Sequence, residues 1–89
     1  MEDKSQYLAL MSEIIGKQSV ILGPDIALLK ARNVQGLTID ATGVPTDLQG
    51  DPGSVLKALV DEYVDLSGQI VKVALGSVFQ KYPSIKHDI

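Results

Sequence analysis

The sequence predicts a mainly α fold: a small helical bundle of three to four helices with a short β-hairpin or ordered loop in the middle, over about residues 37–48. Three observations predict it. A long apolar seam runs through the last third of the chain at helical spacing. Gly23-Pro24-Asp25 and Gly50-Asp51-Pro52 both read as fresh helix starts, with proline at the first helical position. Between them, Leu37-Thr38-Ile39-Asp40 alternates apolar and polar residues, as a half-buried strand does.

The first helix is expected over residues 4–15. Asp3 stands at its N-cap and Gln6 at the reciprocal capping position. Leu8, Met11, Ile14 and Ile15 form an apolar stripe beside Tyr7, and Gly16 offers a C-terminal stop. Residues 17–22 contain the apolar run Val20-Ile21-Leu22, whose period does not decide strand from helix. A second helix then starts at Pro24, with Asp25 in its first turn and Lys30 and Arg32 in its last, as the helix dipole favours. Its apolar residues are Ile26, Leu28, Leu29 and Ala31, and Asn33 or Gly36 closes it. After the strand at 37–40, Ala41-Thr42-Gly43 can turn and residues 44–48 can return. Pro45 lacks a backbone donor, which limits that return to an edge strand.

The seam follows Asp51, which is placed as an N-cap ahead of Pro52. Leu56, Leu59, Val60, Tyr63, Ser67, Ile70, Val71, Ala74 and Val78 recur on one helical face, and Leu59, Tyr63 and Ile70 are expected in the core. Gly68 interrupts the seam. Either two helices meet there, or one helix of about thirty residues, about 46 Å long, passes through it. The seam keeps its phase across Gly68, and Lys57, Asp61, Asp65 and Lys72 keep a common polar face, which favours continuity with a kink. Against continuity, so long a rod overhangs a 9.5 kDa monomer unless a partner covers it. Tyr82-Pro83 ends the element. Residues 1–83 are expected to form a single compact domain, and 84–89 a frayed tail.

Composition narrows the function. The chain has 89 residues, of which 45% are hydrophobic, with no Cys, no Trp and one Phe. A domain this size buries only about 60% of its unfolded surface, so its core is marginal unless well packed or shared. Without cysteine there are no disulfides, thiolate chemistry or cysteine zinc sites. Met1-Glu2-Asp3-Lys4 does not begin a signal peptide, and the longest apolar run is too short to span a bilayer, so a cytoplasmic location and no membrane are expected. The net charge is −3, and residues 40–65 hold six acids against Lys57 alone. Such an acidic middle repels phosphate backbones, so no nucleic acid is expected as a partner.

The candidate chemical groups are sparse. Asp40, Asp47 and Asp51 surround a glycine-containing loop, which raises a divalent-cation site. Counted from Asp40, however, the calcium-loop spacing meets Val44 and Pro45 where it needs an oxygen ligand and a glycine. Turn and cap roles are the plainer reading of these three aspartates. Asp61, Glu62 and Asp65 have no histidine beside them and read as a solvated face. His87, next to Asp88 in the tail, is the only imidazole, and the serines have no base to activate them. Leu22-Gly23-Pro24-Asp25 lacks the further glycines and the lysine of a phosphate cradle. The expectation is therefore no enzyme, no cofactor and no metal.

What remains is packing. Apolar residues between Ile70 and Phe79 cover more than half a helical wheel, so this segment is central in the monomer or covered on a second side by a partner. Gly68 and Gly76 lie on one side and would permit close helix approach. The sequence thus points to a non-catalytic, adaptor-like protein–protein interaction or oligomerisation module, a homodimer being the simplest form. Val71, Leu75, Val78, Phe79 and Tyr82 are its expected interface. The alternative is a small-ligand or divalent-metal-binding domain using the acidic central loop.

Overall fold

The computed structural model describes residues 4–68 and 70–82. Four helices and one hairpin follow in the order α1 (Lys4–Leu22), α2 (Pro24–Arg32), β1 (Leu37–Ile39), β2 (Pro45–Leu48), α3 (Pro52–Ser67) and α4 (Ile70–Gln80). This is the small mainly α bundle that the periodicity predicts. No described helix is long and apolar enough to cross a membrane.

α1 does not stop at Gly16. It runs on to Leu22, so residues 17–22 are helical. Gly16 is exposed, with open space around its Cα. A lone exposed glycine costs a helix only about 1 kcal/mol against alanine, too little to end one whose inner face is buried. The effective stop is Gly23-Pro24, where the proline disfavours helical geometry in the residue before it. Tyr7, Leu10, Met11, Ile14, Ile15 and Gln18 form the buried face of α1. The expected cap, Asp3, lies outside the described residues.

α2 starts at Pro24 as expected, but it turns a different face inward. Ala27 and Ala31 are its buried residues, while Ile26 and Leu29 stand exposed. Ala27 and Ala31 face the core, and α2 packs on both α1 and α3. The buried Tyr63 hydroxyl donates to the Ala27 carbonyl at 2.8 Å, and Lys30 Nζ stands 3.9 Å from Glu62. Further on, Gly36 lies against Val55. Contacts that move forward on the α2 side move backward on α3, so the two run antiparallel.

The hairpin pairs Leu37 with Leu48, Thr38 with Asp47 and Ile39 with Pro45. The shift between the last two pairs is a bulge on the strand that carries Pro45, where a missing donor is least costly. Asp40 organises the turn: its Oδ1 accepts from the Thr42 N–H at 2.9 Å, the Thr42 hydroxyl at 2.6 Å and the Val44 N–H at 3.0 Å. Gly36 closes the hairpin's open end at φ 87°, where a Cβ would sit 2.6 Å from the Gln49 carbonyl oxygen, so only glycine fits. Arg32 reaches across from α2 to the Ile39 and Asp40 carbonyls at 3.3 and 3.0 Å.

α3 is the central helix and packs on α1, α2 and α4. Asp51 caps it as expected, accepting from the Ser54 N–H at 3.0 Å and the Ser54 hydroxyl at 2.8 Å. Leu56, Leu59, Val60 and Tyr63 are all buried. The continuity that the seam favours is not realised: α3 ends at Ser67, and the chain turns at Gly68 with φ 75° and ψ −160°. The Gly68 N–H still bonds the Val64 carbonyl. The reason is cover. A rod of about 43 Å would overrun a molecule whose longest extent is 32 Å. Folding α4 back onto α1 and α3 buries Val71, Leu75, Val78 and Phe79 instead. A Cβ on Gly68 or Gly76 would meet nothing within 4 Å, so neither glycine marks the close helix approach expected of it. The Ile70 side chain lies outside the described ones.

Asp51→Ala should lower stability by about 0.5–2 kcal/mol through loss of the cap. Urea denaturation checks this, and a midpoint equal to that of the wild type contradicts the assignment.

Candidate functional site

The expected interface residues are gathered on the inner face of α4. Val71, Leu75, Val78 and Phe79 are 2%, 0%, 1% and 5% exposed and belong to the chain's own core, with Tyr82 partly buried against it. They cluster as a group, but as part of the intramolecular core and not as a free surface. Two polar bonds hold the end of α4 onto α1. Lys81 Nζ donates to Glu13 Oε1 at 2.8 Å, and the Tyr82 hydroxyl donates to Glu13 Oε2 at 2.7 Å. The Lys81 bond, and then the Tyr82 bond, hold the Glu13 carboxyl below its ordinary 4.5. Donating to that carboxylate pushes the Tyr82 phenol above its ordinary 10.

The free apolar surface is elsewhere. Val20, Ile21, Ile26, Leu29, Leu66 and Val73 are 87%, 55%, 43%, 58%, 48% and 80% exposed. They are six of the seven large exposed hydrophobics among the described residues; Val44, on the hairpin, is the seventh. Because α2 and α3 run antiparallel, Ile26 and Leu66 lie at the same end of the bundle. Val20 and Ile21 precede the α1–α2 corner, and Val73 lies in the first turns of α4, just after the end of α3. This is the end where α1 stops, α2 starts, α3 stops and α4 starts. Leu29 lies further along α2, on the turn that carries Lys30, and exposed hydrophobics are ordinary one by one. Sequence reading assigned Ile26 and Leu29 to the apolar residues of α2. The signal that could have placed them outside is Ala27 and Ala31, four residues apart on the opposite, buried side of α2.

The acidic residues have separate tasks. Asp40 shapes the hairpin turn, and its bonds to Thr42 and Val44 hold its carboxyl below the ordinary 3.8. Asp47 pairs with Lys4 at 2.8 Å, which lowers its carboxyl likewise. Asp51 caps α3. Among the described residues, no three Asp, Glu or His side chains gather as a metal-holding group. Lys57 and Asp61 pair at 2.9 Å one helical turn apart, on the exposed side of α3. Such a pair contributes about 0.3–0.5 kcal/mol. His87 and Asp88 lie outside the described residues.

One residue had no role in the sequence reading. Gln18 is 0% exposed, and neither amide atom has a hydrogen-bond partner among the described residues. An unpaired buried amide costs about 1–3 kcal/mol. Once α1 passes Gly16, the spacing Tyr7, Met11, Ile14, Gln18 puts the amide on the buried face, so the missed extension hid it.

Two open hollows flank the hairpin. One, of about 690 Å³, lies between the α2–β1 connection and the start of α3 and includes Asn33, Gln49, Asp51 and Glu62. The other, of about 240 Å³, lies between α1, the start of α2 and the hairpin tip at Thr42-Gly43-Val44. No protein-family model, curated protein or solved structure matches the chain.

The Glu13 clamp sets a pH signature. A carboxyl whose folded pKa is lowered contributes fully above its unfolded value of 4.5, and the contribution is lost as pH falls through the folded value. Tyr82 behaves oppositely: its contribution is present below 10 and lost as pH rises through the raised value. Glu13→Gln should therefore destabilise the chain at neutral pH and much less in acid. Urea midpoints of both proteins across the acid range check this, and a gap independent of pH contradicts it.

Proposed function

We propose that the chain is a non-catalytic protein–protein interaction module that self-associates through its apolar end. The observation that supports this reading is the exposure of Val20, Ile21, Ile26, Leu66 and Val73 near the end where α1 and α3 stop and α2 and α4 start, with Leu29 further along α2. Burying one such side chain fully stabilises by about 1.5–3 kcal/mol. Association costs about 4–15 kcal/mol in lost freedom, so one or two stray hydrophobics do not suffice. Covering the exposed parts of these six side chains gives a driving force of the same order as that cost. A second copy offers the same exposed side chains, as a twofold contact between identical copies requires. Such a contact also suits a small domain whose own core covers little surface.

The test is sedimentation equilibrium. The wild type should show a mass that rises with concentration, and Leu66→Asp and Leu29→Asp should remain folded and lose that rise, because both side chains are exposed in the monomer. A wild type that stays monomeric up to millimolar concentration contradicts the reading. So does association that neither substitution weakens.

A further inference from the structure

We infer that the second copy is engaged by exchange of α4, with Gly68 as the hinge. α3 and α4 straighten into one helix, and α4 takes the place of its counterpart in the other copy. The inference rests on the self-association reading and specifies its mode.

Three observations carry it. The apolar seam and the polar face of Lys57, Asp61, Asp65 and Lys72 keep their phase across Gly68, so the straightened helix presents one continuous stripe. The corner itself depends on a glycine conformation, φ 75° and ψ −160°, which is essentially closed to other residues. A Cβ there would meet no atom within 4 Å beyond its chain neighbours, so space does not oppose a side chain at this position. Finally, Leu66 and Val73 flank the hinge, stand 48% and 80% exposed, and are seven residues apart. On the straightened helix they fall on one face. Exchange brings the two hinges together, so each copy's Leu66 and Val73 gain a counterpart to cover them.

The contacts that α4 makes survive the exchange. Val71, Leu75, Val78 and Phe79 enter an equivalent core, and Lys81 and Tyr82 meet an equivalent Glu13. The two forms differ at the hinge, in the new contact beside it, and in the entropy of association. A helix of about 43 Å also exceeds the 32 Å length of the folded chain, so once straight it extends past its own core, where a second copy can cover it. The inner face of α4 is then an interface between copies. A short connection between helices is a setting in which exchange occurs, and an alanine at 68 would add conformational strain to it.

The experiment combines a hinge variant with cross-linking. Alanine at 68 is strained in the corner and favourable in a continuous helix. Gly68→Ala should therefore tighten dimerisation by about tenfold per hinge, or about a hundredfold for the two hinges of a dimer. The chain has no cysteine, so Glu13→Cys and Lys81→Cys chains can be prepared separately, mixed, and treated with a short bismaleimide. A link between the two different chains is expected, because exchange sets α4 of one copy on α1 of the other. A Gly68→Ala dimer without that link overturns exchange and leaves self-association through the apolar end standing. A folded Gly68→Ala chain that stays monomeric also overturns it. If Gly68→Ala does not fold, the same two cysteine chains with Gly68 intact are unfolded together and refolded at high concentration, and absence of the link overturns the proposal.

Discussion

Tyr63 is the constraint on which the rest of the fold depends. It is the largest fully buried side chain, and its hydroxyl donates to the Ala27 carbonyl across the α2–α3 contact. A buried phenol needs such a partner, because an unpaired hydroxyl in the core costs more than the bond itself contributes. Burial also pushes the phenol well above its ordinary 10, so it remains a neutral donor. With that bond made, α2 is tied to α3 while Ala27 and Ala31 are buried in the core. Lys30 then faces Glu62, and the chain leaves α2 where Gly36 can meet Gln49. The hairpin is thereby anchored at its base, while Arg32 and Asp40 hold its tip.

The same constraint decides what stays outside. An α2 packed on alanines turns Ile26 and Leu29 to solvent, and an α3 that ends at Gly68 leaves Leu66 at the corner. The buried face of α4 completes the core started by α1 and α3, which is why Val71, Leu75, Val78 and Phe79 are covered within the monomer. The apolar end and the glycine corner are thus two results of fitting four helices into a short chain. The proposed self-association by α4 exchange would draw on both, keeping the core contacts and covering the residues next to the hinge.

Local chemistry was legible in the sequence. Pro24 and Pro52 at first helical positions, Asp51 as a cap, and the alternation at 37–40 all describe interactions within a few residues, and each is found. Tyr63 and Leu59 were legible as core because the seam is strongly periodic. What failed was competition between local signals and cover. Gly16 is a natural stop that the buried face of α1 overrides, whereas Gly68, with the seam in phase on both sides, is where the chain does turn. In each case tertiary burial decided what propensity left nearly balanced. The orientation of α2 was illegible for the same reason: large Ile26 and Leu29 outrank small Ala27 and Ala31 in hydrophobicity, yet the alanines are the residues buried against the rest of the bundle. The apolar end depends on that orientation and could not be read beforehand.

Equilibrium urea denaturation of Tyr63→Phe tests the central claim most directly. The substitution keeps the ring and removes only the donor to Ala27. The account predicts a loss of about 1–2 kcal/mol with an unchanged denaturant dependence, because one buried hydrogen bond is lost and the fold is kept. A midpoint equal to or above that of the wild type would contradict it, since the α2–α3 contact would then be held by packing alone.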